Sequence, residues 1–246
     1  MTDHGHDEES HASTGSGSAS RGGLSRRQVM TASAVAAGVG LAGIPAQADA
    51  AAGGQAVSLG VSGTTTVEFR GRVTQSGDSG QSFTSYGYLI RASNADDSGL
   101  FAGTSRNETT ALLTAYATGD LQARVTDVSV SSSVHSLDIV GTMTIYQRSQ
   151  PGASFDDPSS FQVGTPVASY DMTLQDVLTV IGLGQGLPTL TGDMLQTAAA
   201  TLSGPLAGQK FGRQGARLRF FATGLGALTN ANPNSQLEIA GNWSIE

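Results

Sequence analysis

The side chains able to do chemistry in this sequence are few. Ser79 stands in Thr74-Gln75-Ser76-Gly77-Asp78-Ser79-Gly80-Gln81-Ser82-Phe83, between an aspartate and a glycine. His135 stands in Val134-His135-Ser136-Leu137-Asp138-Ile139-Val140, close in sequence to Asp138. Asn94-Ala95-Asp96-Asp97-Ser98-Gly99 puts side-chain oxygens at loop positions one, three and five and glycine at six, as a calcium loop begins. Arg217 and Arg219 share one face of an alternating run, with Arg213 nearby, and make a spot suited to a carboxylate or sulfate.

Each of these needs partners. A serine nucleophile requires a base within hydrogen-bond reach and an acid that orients the base. Gly77-Asp78-Ser79-Gly80 resembles the string around the nucleophile of chymotrypsin-like serine proteases. In that family the histidine precedes the serine, whereas His135 follows Ser79, and Gln81 and Ser82 replace the family's glycine and proline. Between two alternating runs the string is hairpin chemistry, and Ser79 is read as part of a turn. The calcium-like string has Ser105 at its twelfth position in place of a bidentate glutamate, so it too is read as a surface turn, as is Asp156-Asp157 before Pro158. The arginines are read as answering aspartates on neighbouring strands.

His135 is the one imidazole outside the first eleven residues, where His4, His6 and His11 lie. Strand alternation places it with Leu137 and Ile139 and puts Asp138 on the opposite face, which disfavours a His–Asp pair within the strand. A core or rim histidine held by a hydroxyl is the expected state; an inward position at a barrel mouth would make it a candidate general base. Gly182-Leu183-Gly184-Gln185-Gly186-Leu187 departs from a dinucleotide loop at Leu187 and lacks a surrounding βαβ unit, so it is read as a turn. With no cysteine and so little histidine, neither a metal nor a cofactor is expected.

The N-terminal part reads as targeting rather than fold. A polar lead to Gly23 is followed by Ser25-Arg26-Arg27-Gln28-Val29-Met30, an Ala/Gly-rich apolar stretch to Ile44, Pro45, and small-x-small sites at Ala46-Gln47-Ala48 and Ala48-Asp49-Ala50. Arg26 and Arg27 ahead of this segment resemble a twin-arginine (Tat) export signal. The resemblance implies passage through the Tat machinery in folded form and a secreted or periplasmic destination. Val29 to Ile44 is shorter and less apolar than the ~20 residues a membrane span needs, so no stable membrane anchor is expected. The organisation read from the sequence is a signal peptide over 1–50, a linker over 51–56 and one domain over 57–246. The whole chain carries a net charge of −7; three arginines against five acids in residues 1–50 leave −5 for the remainder. An acidic domain whose single lysine is Lys210 has no reserve of cations for phosphate backbones, and nucleic acid is excluded as a partner.

The domain itself alternates. Val67, Phe69 and Val73 fall on one face and Glu68, Arg70 and Arg72 on the other, and comparable runs follow at 83–91, 112–118, 121–130, 134–148, 167–181, 217–223 and 236–245. Turn-forming clusters at 76–80, 94–99, 119–120, 150–152 and 230–234 separate the runs. The expected fold is all-β, an antiparallel barrel or sandwich of about nine or ten strands. One region is ambiguous: Leu174, Val177, Leu178 and Ile181 also fit helical spacing, with Thr173 and Asp176 placed as a capping box, and Thr191 to Gly204 reads similarly. A helical hairpin over 174–203 is the alternative there. Domain size, Thr/Ser-rich strands and the closing Ile239-Ala240-Gly241-Asn242-Trp243 resemble the small barrels of the allene oxide cyclase and dirigent type.

Aromatic residues are the remaining resource. Tyr86 and Tyr88 share a face opposite Phe83 and Leu89, so their strand is apolar on both sides. Such a strand either lies between a core and a second layer or offers one face to a ligand. Tyr86, Tyr88, Tyr146, Trp243, Arg217 and Arg219 are the candidate ligand-binding residues. Two functions are compatible with these readings: a non-catalytic exported protein that binds a small apolar or carbohydrate ligand or an envelope component, or a cofactor-free barrel enzyme of cyclase or isomerase type using His135.

Overall fold

A computed structural model describes residues 58–59, 67–76, 81–128, 132–182, 184–228 and 235–245. Arg26, Arg27 and Ser79 lie outside the described residues. The elements are β1 (Ser58–Leu59), β2 (Val67–Ser76), β3 (Ser82–Ala92), α1 (Asp97–Leu100), β4 (Leu113–Val128), β5 (Ser133–Gln147), β6 (Thr165–Gly182), β7 (Gln185–Leu187), β8 (Thr189–Ala199), β9 (Lys210–Phe211), β10 (Arg217–Leu228) and β11 (Ser235–Ile245).

The fold is a closed antiparallel barrel of eight strands with one strand added. The barrel runs β2-β3-β4-β5-β6-β8-β10-β11, and β11 returns to β2 in unbroken register from Ser235–Gln75 to Trp243–Val67. Chain neighbours are therefore spatial neighbours around the whole circle, a meander that removes every edge from the main sheet. The short β7 pairs with the end of β6 and touches β10 at Gly226. β1 and β9 form a separate two-residue parallel pair.

Closure resolves barrel against sandwich. Its cause is visible in glycines that face inward on seven of the eight barrel strands: Gly71, Gly87, Gly119, Gly141, Gly192, Gly224 and Gly241. Gly71 opposes Gly87 and Gly119 opposes Gly141 in register. A Cβ on Gly87 would lie 2.3 Å from the Arg70 carbonyl oxygen, and one on Gly141 would lie 2.2 Å from that of Thr118. Only residues without a side chain allow strands to bend and coil this tightly, which is how a sheet of eight strands meets its own edge. Bulges between Glu68 and Phe69, Leu121 and Ala123, and Ser169 and Tyr170 add to the bending.

The helical alternative over 174–203 is not what forms: among its described residues β6, β7 and β8 lie as strands, as the alternating run 167–181 predicts, with Met172, Leu174 and Asp176 buried and Val177 and Ile181 turned outward. Each strand completes its ladder with two neighbours, and that non-local pairing overrides a helical spacing of apolar residues. Gly119-Asp120 is not a turn either, because β4 runs straight through it. Gly119 is there for close approach to Gly141.

One end of the barrel is plugged. Leu100, Phe101, Leu202, Leu206 and Phe211 are buried there and join the main core. Polar side chains staple the covering loops: the Gln147 carboxamide exchanges hydrogen bonds with the Ser203 backbone, donating to its carbonyl at 2.9 Å and accepting from its N–H at 2.8 Å. Gln196 donates to the Phe211 carbonyl at 2.7 Å and accepts from the Arg213 N–H at 2.9 Å. At the other end β4, β5 and β6 continue as a three-stranded extension whose β4 residues beyond Leu121 are exposed.

If inward glycines set the coiling, then Gly87→Ala lowers stability by about 1–3 kcal/mol through overpacking against backbone that cannot retreat. Gly182→Ala, whose Cβ would meet nothing nearer than the Gln185 side chain at 3.5 Å, stays within about 0.5 kcal/mol of the parent. Urea midpoints of the two variants give the comparison.

Candidate functional site

Inward-facing residues do not fill the barrel. A cavity remains that offers about 70 Å³ to the centre of a water-sized sphere, and all eight strands line it. Its wall is made by Phe69, Phe83, Ile139, Met143, Leu174 and Trp243 among others, interleaved with Gly71, Gly87, Ala115, Ala117 and Gly119. The arrangement follows from the alternation: the strands send glycine and alanine inward at one level, and the absent side chains leave the space. Larger residues take over beside it, where Phe69 stacks on Phe220 with centroids 5.3 Å apart and packs on Trp243 at 5.5 Å.

The inward-facing side chains that bring oxygen to this wall are Ser85 and Asp176; Thr118 is turned outward and exposed, and borders the chamber with its backbone. Asp176 is 2 % exposed. It occupies an inward position of β6, between Leu137 of β5 and Leu190 of β8 in register. Its Oδ1 accepts a hydrogen bond from the Thr189 N–H at 3.1 Å. Burial pushes its pKa up to about 6, against the smaller opposing effect of that backbone donor. Such a group changes its charge near neutral pH, inside an apolar chamber.

His135 lies on the inner-face side of the β4–β5–β6 extension, one rung beyond Leu137 and opposite Leu178. Hydroxyls hold both ring nitrogens: Thr126 Oγ1 is 3.0 Å from Nδ1 and Ser133 Oγ is 2.9 Å from Nε2. Partial burial, and then the charge of Arg124, lower its pKa, which favours the neutral ring. Asp138 is exposed on the opposite face, and the two are not brought together.

The other candidates are dispersed. Trp243, 1 % exposed, lines the cavity. The Tyr86 and Tyr88 rings turn to the outside of the wall, where Phe155 and Phe161 cover them; Tyr86 sits 5.4 Å from Phe161 and Tyr88 6.2 Å from Phe155. Their strand thus lies between the core and a second layer formed by residues 153–161. Arg72 fixes that layer, its guanidinium pairing with Glu238, donating to the Phe155 carbonyl at 3.3 Å and lying 4.7 Å over the Phe155 ring. Tyr146 is half-buried on the outer face. Arg217 and Arg219 are exposed on the outside of β10, where Arg219 pairs with Asp193.

Asp96 caps α1 by accepting from the Gly99 N–H at 3.2 Å, and Asp97 pairs with Arg106. Asp157 likewise caps the 3-10 turn Pro158–Gln162. Among the described residues no cluster of three or more His, Cys, Asp or Glu side chains is placed to hold a metal ion.

Sequence reasoning missed Asp176 as a site residue because it was weighed only as a possible capping-box residue of the alternative helix and not for the face it takes in the strand over 167–181. The signal that finds it is an acid at the inward parity of a strand, after Met172 and Leu174. No protein-family model, curated protein or solved structure matches the chain.

The raised pKa of Asp176 has a testable sign. The folded state holds this proton more tightly than the unfolded chain, so its burial costs nothing below pH 3.8. The cost grows as pH rises through about 6 and is complete above it. A shift of this size corresponds to about 3 kcal/mol. Asp176→Asn, which keeps an acceptor for Thr189, raises stability at pH 8 by about 1–3 kcal/mol. It also removes this component of the decline between pH 4 and 7. Denaturant unfolding of both proteins across that range checks it; parallel profiles would remove Asp176 as the source.

Proposed function

We propose that this is an exported, non-catalytic barrel that holds a small apolar molecule in its lumen. The observation that carries the reading is the cavity enclosed by all eight strands and walled almost wholly by carbon. Water gains little in such a space, because a buried water needs two to four polar partners, whereas apolar molecules fill it without leaving hydrogen bonds unmade. A sugar is disfavoured on the same ground, since most of its hydroxyls would find no partner beyond Ser85 and Asp176. Export is supported by Arg26 and Arg27 ahead of the Ala/Gly-rich segment.

A second reading, a cofactor-free cyclase or isomerase, has one observation in its favour. A carboxyl with a pKa of about 6 in a dry chamber is poised to give or take a proton near neutrality. On that reading Asp176, not His135, is the acid or base.

Ligands of this kind raise the melting temperature of the domain in proportion to their occupancy. Ala117 is 7 % exposed and faces the lumen. Ala117→Phe fills the chamber, keeps the fold and abolishes the ligand-induced rise; a full rise in this variant would place binding elsewhere. Export has its own test, in which the full chain with Arg26→Lys and Arg27→Lys stays inside the cell while the parent is recovered outside the cytoplasmic membrane.

A further inference from the structure

We propose that the lumen selects an organic cation, a small amine whose ammonium group pairs with Asp176 while its hydrocarbon body lies against the apolar wall. This rests on the lumen-binding reading and specifies its ligand. Asp176 is buried, faces the chamber, and has a single backbone N–H, that of Thr189, as its hydrogen-bond partner among the described residues. No arginine, lysine or histidine side chain forms an ion pair with it there. The elements packed against β6 offer it no counter-charge. Leu137 faces it from β5 and Leu190 from β8. One rung along the inner face is His135, whose ring nitrogens two hydroxyls occupy; on the rung of Asp176 itself, two strands away beyond Leu137, is Arg124 of β4, which is exposed and forms no ion pair with it.

A buried carboxylate is retained at a cost, and that cost is relieved by whatever restores its missing charge and donors. An anion is repelled. A neutral alcohol supplies one hydrogen bond and leaves the charge uncompensated. An ammonium supplies both, through a charge-assisted bond that is stronger than a neutral one. The aromatic residues that line the same chamber, Phe69, Phe83, Phe220 and Trp243, give a surface more favourable to a cation than aliphatic carbon alone.

The test uses three probes of matched shape, n-butylammonium, 1-butanol and butanoate, titrated into the protein at pH 7.5 and followed by NMR shifts of lumen residues. The amine is expected to bind at least tenfold more tightly than the alcohol, and butanoate more weakly than either. Lowering the pH to 5, which protonates Asp176, brings amine and alcohol together. Asp176→Asn does the same at pH 7.5 while still binding 1-butanol, which shows that its lumen is intact; the pH series needs no variant and stands if that protein does not fold. Equal affinity for amine and alcohol in the parent, or a preference for the amine that survives in Asp176→Asn, overturns the cation proposal and leaves the lumen reading standing. Failure of every probe to reach the lumen overturns both.

Discussion

Where strands of this barrel cross most closely, a Cβ would stand about as near to a neighbouring carbonyl oxygen as 2 Å, and glycine is the residue at those points. Everything else depends on that contact being possible. The Gly71–Gly87 and Gly119–Gly141 pairs let four consecutive strands coil, and Gly224 and Gly241 do the same where β10 and β11 return to β2. Glycine weakens a strand locally, so the arrangement trades intrinsic strand preference for closure, and closure removes the edges that a Thr/Ser-rich sheet would otherwise expose. The lumen is a by-product of the same residues. A wall that needs glycine for its curvature cannot also fill its interior at that level.

The two ends are built differently, and this fixes where the lumen is polar. At the plugged end Phe101, Leu206 and Phe211 are packed beneath loops that Gln147 and Gln196 hold by backbone hydrogen bonds. Tyr170 is buried on this side beside Trp243, its hydroxyl pushed upward in pKa by burial and kept neutral. Asp176 belongs to the opposite side, near the start of β8 whose Thr189 N–H it accepts from. The chamber therefore has an apolar, aromatic end and an acidic end. With no cysteine in the chain, all of this is held by packing and hydrogen bonds.

Alternation made the all-β character legible, since Val67, Phe69 and Val73 against Glu68, Arg70 and Arg72 admits few other readings. Barrel against sandwich was not legible, because both produce the same alternation and only the non-local β11–β2 register distinguishes them. Thr173 to Ile181 misled in part because its inward row contains an acid, which breaks the apolar period of two and lets a period of 3.6 compete. Tyr86 and Tyr88 were rightly seen as the second apolar face of their strand. Their cover, Phe155 and Phe161, comes from an irregular segment with no periodic signature, so its destination could not be read.

Asp176 also shows why the site was harder to read than the fold. Periodicity reports positions where a residue obeys its environment, and a binding residue is one that does not. An acid among Met172, Leu174, Leu137 and Leu190 works against folding in the free protein, and its hydrogen-bond compensation among the described residues is one backbone N–H. Leucine or methionine at this position would pack the same wall with no charge to desolvate, and replacing buried ionic groups by apolar ones of similar volume is often stabilising. The lumen therefore contains one feature that neither closure nor packing requires. It lies on the single barrel strand that lacks an inward glycine at the level of coiling, so the one wall free of that constraint is the wall that carries the buried acid.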